Sequence, residues 1–420
     1  MNGIKYELEK NSFIIFTLSM FTSVLSTVFQ IIMGRMLPEA DFGSLNALLA
    51  FSTIVTVPSA IMLFGSAKYT AEYMAKEKPG NAKYISRVLL GFSALIGVVT
   101  CALLVIFRGF FASLLNINNP VLIISIGTMI LLSGVYSVLI GILQGLKRFA
   151  AYSAVPMLSI AIRLVVSVGL LLFGLGLSAI IHSLFISVLI PVVVSFLLLK
   201  GYLKQTSERP ADYHPSILVS FFGATFFAYL FVNLFLNSDI LLIKAFDETT
   251  GSAGLYSAGM QISKAIIYVA GAIAAVVFPM TAERAASGID TRPLLIKAML
   301  LSGGIALVGA VCINIFGDFA VSLIYGSKYA AVVPLLVPMC AFAFSLTILT
   351  ILLNYSIALG RSRFFSITMA IGGMVLALIV VFFHHTVTQI IISLTVSVGV
   401  VCAINIPYAL LRKPKLPDVV

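Results

Sequence analysis

The chain has 420 residues, 60% of them hydrophobic and only 10% charged, with a mean hydropathy of +1.13. A soluble domain must cover itself with polar groups, so this balance excludes a cytosolic enzyme, a secreted domain and a disordered scaffold. It indicates a polytopic membrane protein.

The opening MNGIKYELEKN leads into an apolar run too long for a signal-peptide core, with no small-residue cleavage site, so it is expected to stay as the first membrane helix. Runs of about 20 apolar residues cross a bilayer core of about 30 Å as helices. Twelve are expected, near 12–36, 43–67, 88–107, 120–143, 151–173, 178–199, 217–246, 254–282, 294–317, 331–359, 364–383 and 387–410. The longest connections, Lys68 to Arg87 and Lys200 to Ser216, are too short to hold a catalytic domain. Cys101, Cys312, Cys340 and Cys402 all lie in apolar stretches without a CxxC and imply neither a disulfide nor a metal site.

The net charge is +11, but no basic run interleaves with aromatics, so no nucleic-acid partner is expected. The cations instead mark orientation. With the termini and every second connection on one side, twenty of the 26 Lys and Arg residues fall there. Arg35, Arg108, Lys244 and Lys328 fall on the other, and Arg163 and Lys264 fall inside helices. Positive charge is retained in the cytoplasm, so both termini are expected inside.

The chain also repeats itself at half length. Thr70-Ala71-Glu72 recurs as Thr281-Ala282-Glu283, and Gly43 and Ala47 match Gly254 and Ala258, both at a shift of 211 residues. The stretch from Ile142 to Phe149 recurs loosely from Ile357 to Phe364. The fold class expected is therefore an all-α polytopic membrane protein of about twelve helices in two six-helix lobes. An even number of helices per repeat puts the pseudo-two-fold along the membrane normal. Residues 1–203 form one lobe, 204–216 a cytoplasmic linker containing Pro210 and Pro215, and 217–420 the other.

Ionisable groups at membrane depth cost about 2.5–3.5 kcal/mol each and so point to function. Arg163 and Lys264 fall near the midplane by their place in helices five and eight. Their helix-spaced neighbours are polar: Ser153, Pro156, Ser159 and Ser167 around Arg163, and Ser257, Gln261, Tyr268 and Gly271 around Lys264. Helix one carries Ser19, Ser23, Thr27, Gln30 and Gly34, and helix seven Tyr229, Asn233, Asn237 and Lys244. Such stripes read either as walls of a watered cavity or as close helix packing. Arg35 and Lys244, near helix ends, read also as snorkelling side chains. Asp239, the one carboxylate placed within a helix, reads either as a neutralising partner for a cation or as a coupling-ion site.

Two midplane cations against one off-centre carboxylate make a site that attracts anions, phosphate or pyrophosphate above all. Replacing Lys264 with alanine is then expected to slow transport with folding intact. Glu72 and Glu283 read as solvated loop charges or as a latch on the cytoplasmic gate. There is no GxxxxGK[ST] phosphate loop, no HExxH and no Cys/His metal spacing, and His384-His385 fall at a helix end. No catalysis and no cofactor are expected.

The segment Gly34-Arg35-Met36-Leu37-Pro38-Glu39-Ala40-Asp41-Phe42-Gly43 resembles a signature of polysaccharide flippases. So do Gln144-Gly145-Leu146-Lys147-Arg148-Phe149, Asn237-Ser238-Asp239 with Gly254-Leu255-Tyr256-Ser257-Ala258, Phe278-Pro279, and Tyr325-Gly326 with Tyr329. The pieces run in order over nearly the whole chain. They resemble the O-antigen-type group within the multidrug/oligosaccharidyl-lipid/polysaccharide exporter superfamily. The resemblance implies a cytoplasmic-membrane transporter, not an enzyme, with two six-helix lobes around a central cavity and alternating access. The substrate implied is an oligosaccharide linked by pyrophosphate to a polyprenol, and the partners implied are membrane lipids, a saccharide polymerase and chain-length machinery. Peptidoglycan-precursor flippases of that superfamily usually carry two further helices. The rival readings are an ion-coupled multidrug extruder, which needs buried carboxylates to hold cations, and a polytopic polymerase, which needs a large outer loop. A purely structural membrane protein would not require midplane cations.

The candidate site residues are thus Arg163 and Lys264 for the diphosphate and Gln30, Asn233, Asn237, Gln261 and Tyr268 for the polar lining. Asp239 is the candidate for ion coupling.

Overall fold

The computed structural model describes residues 2–204, 215–246 and 251–411. Every regular element among them is helical, as an apolar solvent requires, because a helix satisfies its backbone hydrogen bonds within one segment. The first half contains α1 (Asn2–Met36), α2 (Glu39–Val55), α3 (Val57–Ala75), α4 (Pro79–Ile106), α5 (Arg108–Leu114), α6 (Val121–Gly145), α7 (Phe149–Leu172), α8 (Gly176–Leu198) and α9 (Lys200–Lys204). The second contains α10 (Pro215–Ala245), α11 (Ser252–Ser263), α12 (Ala265–Ala286), α13 (Arg292–Ile315) and α14 (Gly317–Ile324). A 3-10 helix (Ser327–Leu335) then leads into α15 (Leu336–Ala358), α16 (Ser362–Phe382) and α17 (Val387–Leu411).

Each of the twelve expected spans coincides with one helix or one interrupted helix. Among the described residues nine helices are long and apolar enough to cross a membrane, and the bent pair α2 and α3 makes ten. The remaining two spans are α10 and the pair α11 and α12, each of which includes side chains outside the description. The 47° bend between α2 and α3 has a local cause. Pro58, at the second position of α3, offers no N–H and crowds the carbonyl one turn back.

The expected connection from Lys68 to Arg87 is not a loop. α3 runs on to Ala75 and α4 begins at Pro79, which leaves three residues between them. Hydropathy marks only the part of a helix that lies in lipid, whereas the backbone ladder continues equally well in water. Here a Glu72–Lys76 ion pair at 2.7 Å, one turn apart, supports the extension. The expected linker at 204–216 lies almost wholly outside the described residues, as do Arg412, Lys413 and Lys415.

The helices fall into two compact units, Met1–Pro38 with Leu48–Phe226 and Glu39–Ala47 with Phe227–Val420. In the first, α6 packs against α3, α4, α7 and α8, while α1 packs on α7 and α7 on α8. In the second, α15 packs against α12, α13, α16 and α17, and α16 packs on α17. The order of neighbours is the same in both, so the faint sequence repeat is a structural one. Pro191 inside α8 and Pro407 inside α17 stand in corresponding helices.

Close approach around α6 is built from glycine. A Cβ on Gly134 would lie 2.8 Å from the Ser93 carbonyl oxygen of α4, and one on Gly97 would lie 2.7 Å from the Leu131 oxygen. Gly141 and Gly145 do the same toward α3, where a Cβ would run into Ser66, the Leu63 carbonyl and Thr70. Lipid gives no hydrophobic drive between helices, so small residues that let backbones touch provide the association. The Ser66 hydroxyl uses that proximity to donate to the Val138 carbonyl at 3.1 Å.

A second glycine contact explains why Glu39–Ala47 belongs to the second unit. Gly43 and Gly254, equivalent in the repeat, meet each other. A Cβ on Gly43 would stand 2.7 Å from the Gly254 nitrogen, and one on Gly254 would collide with the Glu39 carbonyl oxygen. Beside them the Phe42 ring sits 6.1 Å from Tyr325 and 6.2 Å from Tyr329. Three of the quoted sequence fragments therefore come together at one packed junction. Gly43→Val is expected to destabilise the folded chain by about 1–3 kcal/mol through overpacking. The check is loss of helical circular dichroism on heating in detergent, against wild type.

Candidate site: a helix cation in each unit

In the first unit Arg163 reaches from α7 to α1. Its guanidinium carbon lies 5.9 Å from the centre of the Phe29 ring, and its Nε is buried without a hydrogen-bond partner. Tyr136 of α6 is close enough to interact with it electrostatically. The Gln30 side-chain oxygen on α1 is likewise buried and unpartnered. Arginine keeps its charge under almost any condition, so this is a cation whose buried Nε has no partner. The serines in its stripe have another task. The Ser159 hydroxyl donates to the Ser187 carbonyl at 2.5 Å, and Ser167 bonds Ser183 at 2.7 Å, so both join α7 to α8. For these two positions the packing reading holds.

Along α1, Ser19, Ser23 and Thr27 are exposed although the helix is apolar enough to span a membrane. Ser23 and Thr27 donate to the carbonyls one turn back, at 3.0 Å each, which leaves their oxygens able to accept. An exposed hydroxyl stripe on a membrane-length helix is suited to water or to sugar hydroxyls and ill suited to lipid tails.

In the second unit the charges are paired. Asp239 of α10 is fully buried. Its Oδ2 accepts the Tyr256 hydroxyl of α11 at 2.8 Å and faces Lys264 Nζ at 3.4 Å, while its Oδ1 has no hydrogen-bond partner. Lys264 occupies the interruption between α11 and α12, and its side chain is 24% exposed. One end of this ion pair is thus sealed and the other is reachable. Asp239 thus has the geometry of a neutralising partner for Lys264. Lys244, expected near the outer end of α10 as a snorkelling side chain, is buried, whereas Arg35 is exposed.

The other polar candidates separate by position. Asn233 and Asn237 are half-buried and donate along their own helix to the carbonyls of Tyr229 and Asn233, at 2.8 and 2.9 Å. Each amide oxygen remains available as an acceptor. Gln261 is half-buried, and Tyr268 is exposed. Gly271 lies among residues whose side chains are not described. The expected charged sites are therefore divided between the units, Arg163 in one and the Lys264–Asp239 pair in the other.

Tyr256 was not legible as a site residue. It stands in one of the quoted fragments, but nothing in the spacing ties it to an aspartate 17 residues earlier on a different helix. Phe29, an apolar residue on an apolar helix, gives no sequence signal at all. Among the described residues no three His, Cys, Asp or Glu side chains gather as a metal ion would require.

A family model described as polysaccharide biosynthesis protein matches residues 8–285. No curated protein matches the chain. Among solved structures, the inward-facing form of a multidrug resistance MATE family transporter of the MOP superfamily is similar at 12% identity. It covers 95% of this chain and 97% of that one, with a TM-score of 0.78. The lipid II flippase MurJ in an inward closed conformation is similar at 14% identity over 95% of this chain and 87% of its own, with a TM-score of 0.72. A MOP superfamily transporter from Pyrococcus furiosus, described as having a binding pocket of reverse polarity that suggests a different function, is 12% identical over 95% and 93%, at 0.65. At these identities the likeness shows the fold: a twelve-helix membrane transporter architecture with six helices in each half. A match across two-thirds of the sequence shows more, and the chain belongs to the polysaccharide biosynthesis protein family, multi-pass membrane proteins with the fold of MOP superfamily transporters.

Proposed function

We propose that the protein is a flippase that carries a polyprenyl-pyrophosphate-linked oligosaccharide from the cytoplasmic to the outer leaflet of the cytoplasmic membrane, without catalysing a covalent step. Both termini face the cytoplasm, and transport proceeds by alternating access. The observation that carries this reading is Arg163, a permanent cation whose Nε is buried and unpartnered, in a chain of a polysaccharide biosynthesis family. A diphosphate dragged into the membrane loses its hydration, and guanidinium donors replace part of it with charge-assisted bonds. In the other unit Lys264, reachable on its exposed side, is a second cation suited to the same group. The exposed hydroxyls of α1 and the free amide oxygens of Asn233 and Asn237 are suited to the sugars. The fold likeness to a lipid II flippase supports a lipid-linked substrate. A saccharide polymerase and its chain-length machinery are the natural consumers of the flipped unit.

The test uses purified protein in sealed liposomes loaded with a lipid-linked oligosaccharide, followed with an impermeant glycan-cleaving enzyme. Exposure should require the protein and fall about 10- to 100-fold in Arg163→Ala, the range set by losing a charged hydrogen bond. Gradient-driven uptake of an organic cation, with no glycan exposure, would place the protein with drug extruders instead.

A further inference from the structure

Lys264 meets its substrate already occupied. Its ammonium faces Asp239 Oδ2 at 3.4 Å, and the same oxygen accepts the Tyr256 hydroxyl at 2.8 Å. The carboxylate is fully buried, yet the lysine is 24% exposed and stands where α11 gives way to α12. An arriving anion can reach the lysine but not the aspartate.

We propose that Asp239 is a resident counter-ion which the diphosphate displaces from Lys264, and that Tyr256 is the positioning residue that holds the carboxylate after the exchange. The inference rests on the diphosphate reading above and deepens it. Before exchange the pair is neutral, which lowers the cost of keeping a lysine at membrane depth. During exchange the ammonium turns to the diphosphate, and Asp239 keeps the tyrosine hydrogen bond, so the buried carboxylate is not left bare. The retained negative charge then weakens the hold on the bound anion. Transport needs that weakness, because a carrier must bind firmly enough to load and loosely enough to release. No bond is made or broken and no proton need move.

Competition lowers apparent affinity by the fraction of lysine free to bind. Removing the competitor should therefore tighten binding, and strengthening it should do the reverse. Calorimetry on the purified full-length chain in detergent, with inorganic pyrophosphate and with farnesyl pyrophosphate, reads this directly. Asp239→Asn should bind both probes about tenfold tighter than wild type. Tyr256→Phe leaves the carboxylate with Lys264 alone and should bind them about threefold weaker or worse. Opposite signs are the signature, because a merely structural role would shift both variants the same way. Weaker binding in Asp239→Asn, parallel to Lys264→Met, overturns the exchange while leaving the diphosphate site standing. If Asp239→Asn does not fold, the Tyr256→Phe arm decides alone, and unchanged affinity there overturns the proposal. Affinity that ignores Lys264→Met overturns the exchange by removing Lys264 from the site, affinity that ignores both Lys264→Met and Arg163→Ala overturns the diphosphate reading itself, and equal affinity for the two probes overturns its lipid-linked part.

Discussion

The single variant Lys264→Ala is expected to lose thermal stability as well as transport, and the double variant Lys264→Met/Asp239→Asn to recover the stability alone. This departs from the expectation from sequence that removing the lysine leaves folding intact. Asp239 is fully buried, with Lys264 and Tyr256 on a single oxygen. Deleting one partner of a buried ion pair strands the other and typically costs about 3–5 kcal/mol, whereas replacing both by neutral groups of similar shape costs little. Transport depends on the ammonium and not on the neutrality of the pair, so it should fall about tenfold or more in both variants. Thermal unfolding by circular dichroism, read beside the liposome assay, separates the two effects. A double variant that flips substrate at the wild-type rate would remove Lys264 from the mechanism.

Gly141→Leu is expected to abolish most of the folded protein. Any Cβ at that position runs into the Ser66 hydroxyl and the Leu63 backbone carbonyl of α3, and a backbone atom cannot swing aside as a side chain does. α6 is also the helix against which α3, α4, α7 and α8 all pack, so a shift there is felt by the whole first unit. Overpacking of a tight core costs about 1–3 kcal/mol where side chains can give, and more where they cannot. Gly169→Leu on α7 is the control, since a Cβ there meets nothing within 4 Å. Monodisperse yield after detergent extraction should collapse for Gly141→Leu and stay near wild type for Gly169→Leu. Similar yields would mean that the α3–α6 seam is more plastic than its geometry implies.

The amino-acid sequence alone determined that this is a membrane protein, that it is all-helical, that its spans number about twelve and that they come in two similar sets. Those features follow from hydropathy, from backbone satisfaction in lipid and from short repeats such as Gly43/Gly254 and Thr70/Thr281, all of which are local along the chain. It also singled out Arg163, Lys264 and Asp239, because a charge at membrane depth is costly wherever it packs. Which charge meets which was decided only by tertiary structure. Asp239 and Lys264 lie on different helices, and their pairing through Tyr256 depends on how α10 lies against α11. The serines around Arg163 look alike in sequence to those of α1. Yet Ser159 and Ser167 are consumed by α8, while Ser19 and Ser23 stay exposed. A helical stripe states which residues share a face, and only the neighbouring helix states whether that face is wet, packed or paired.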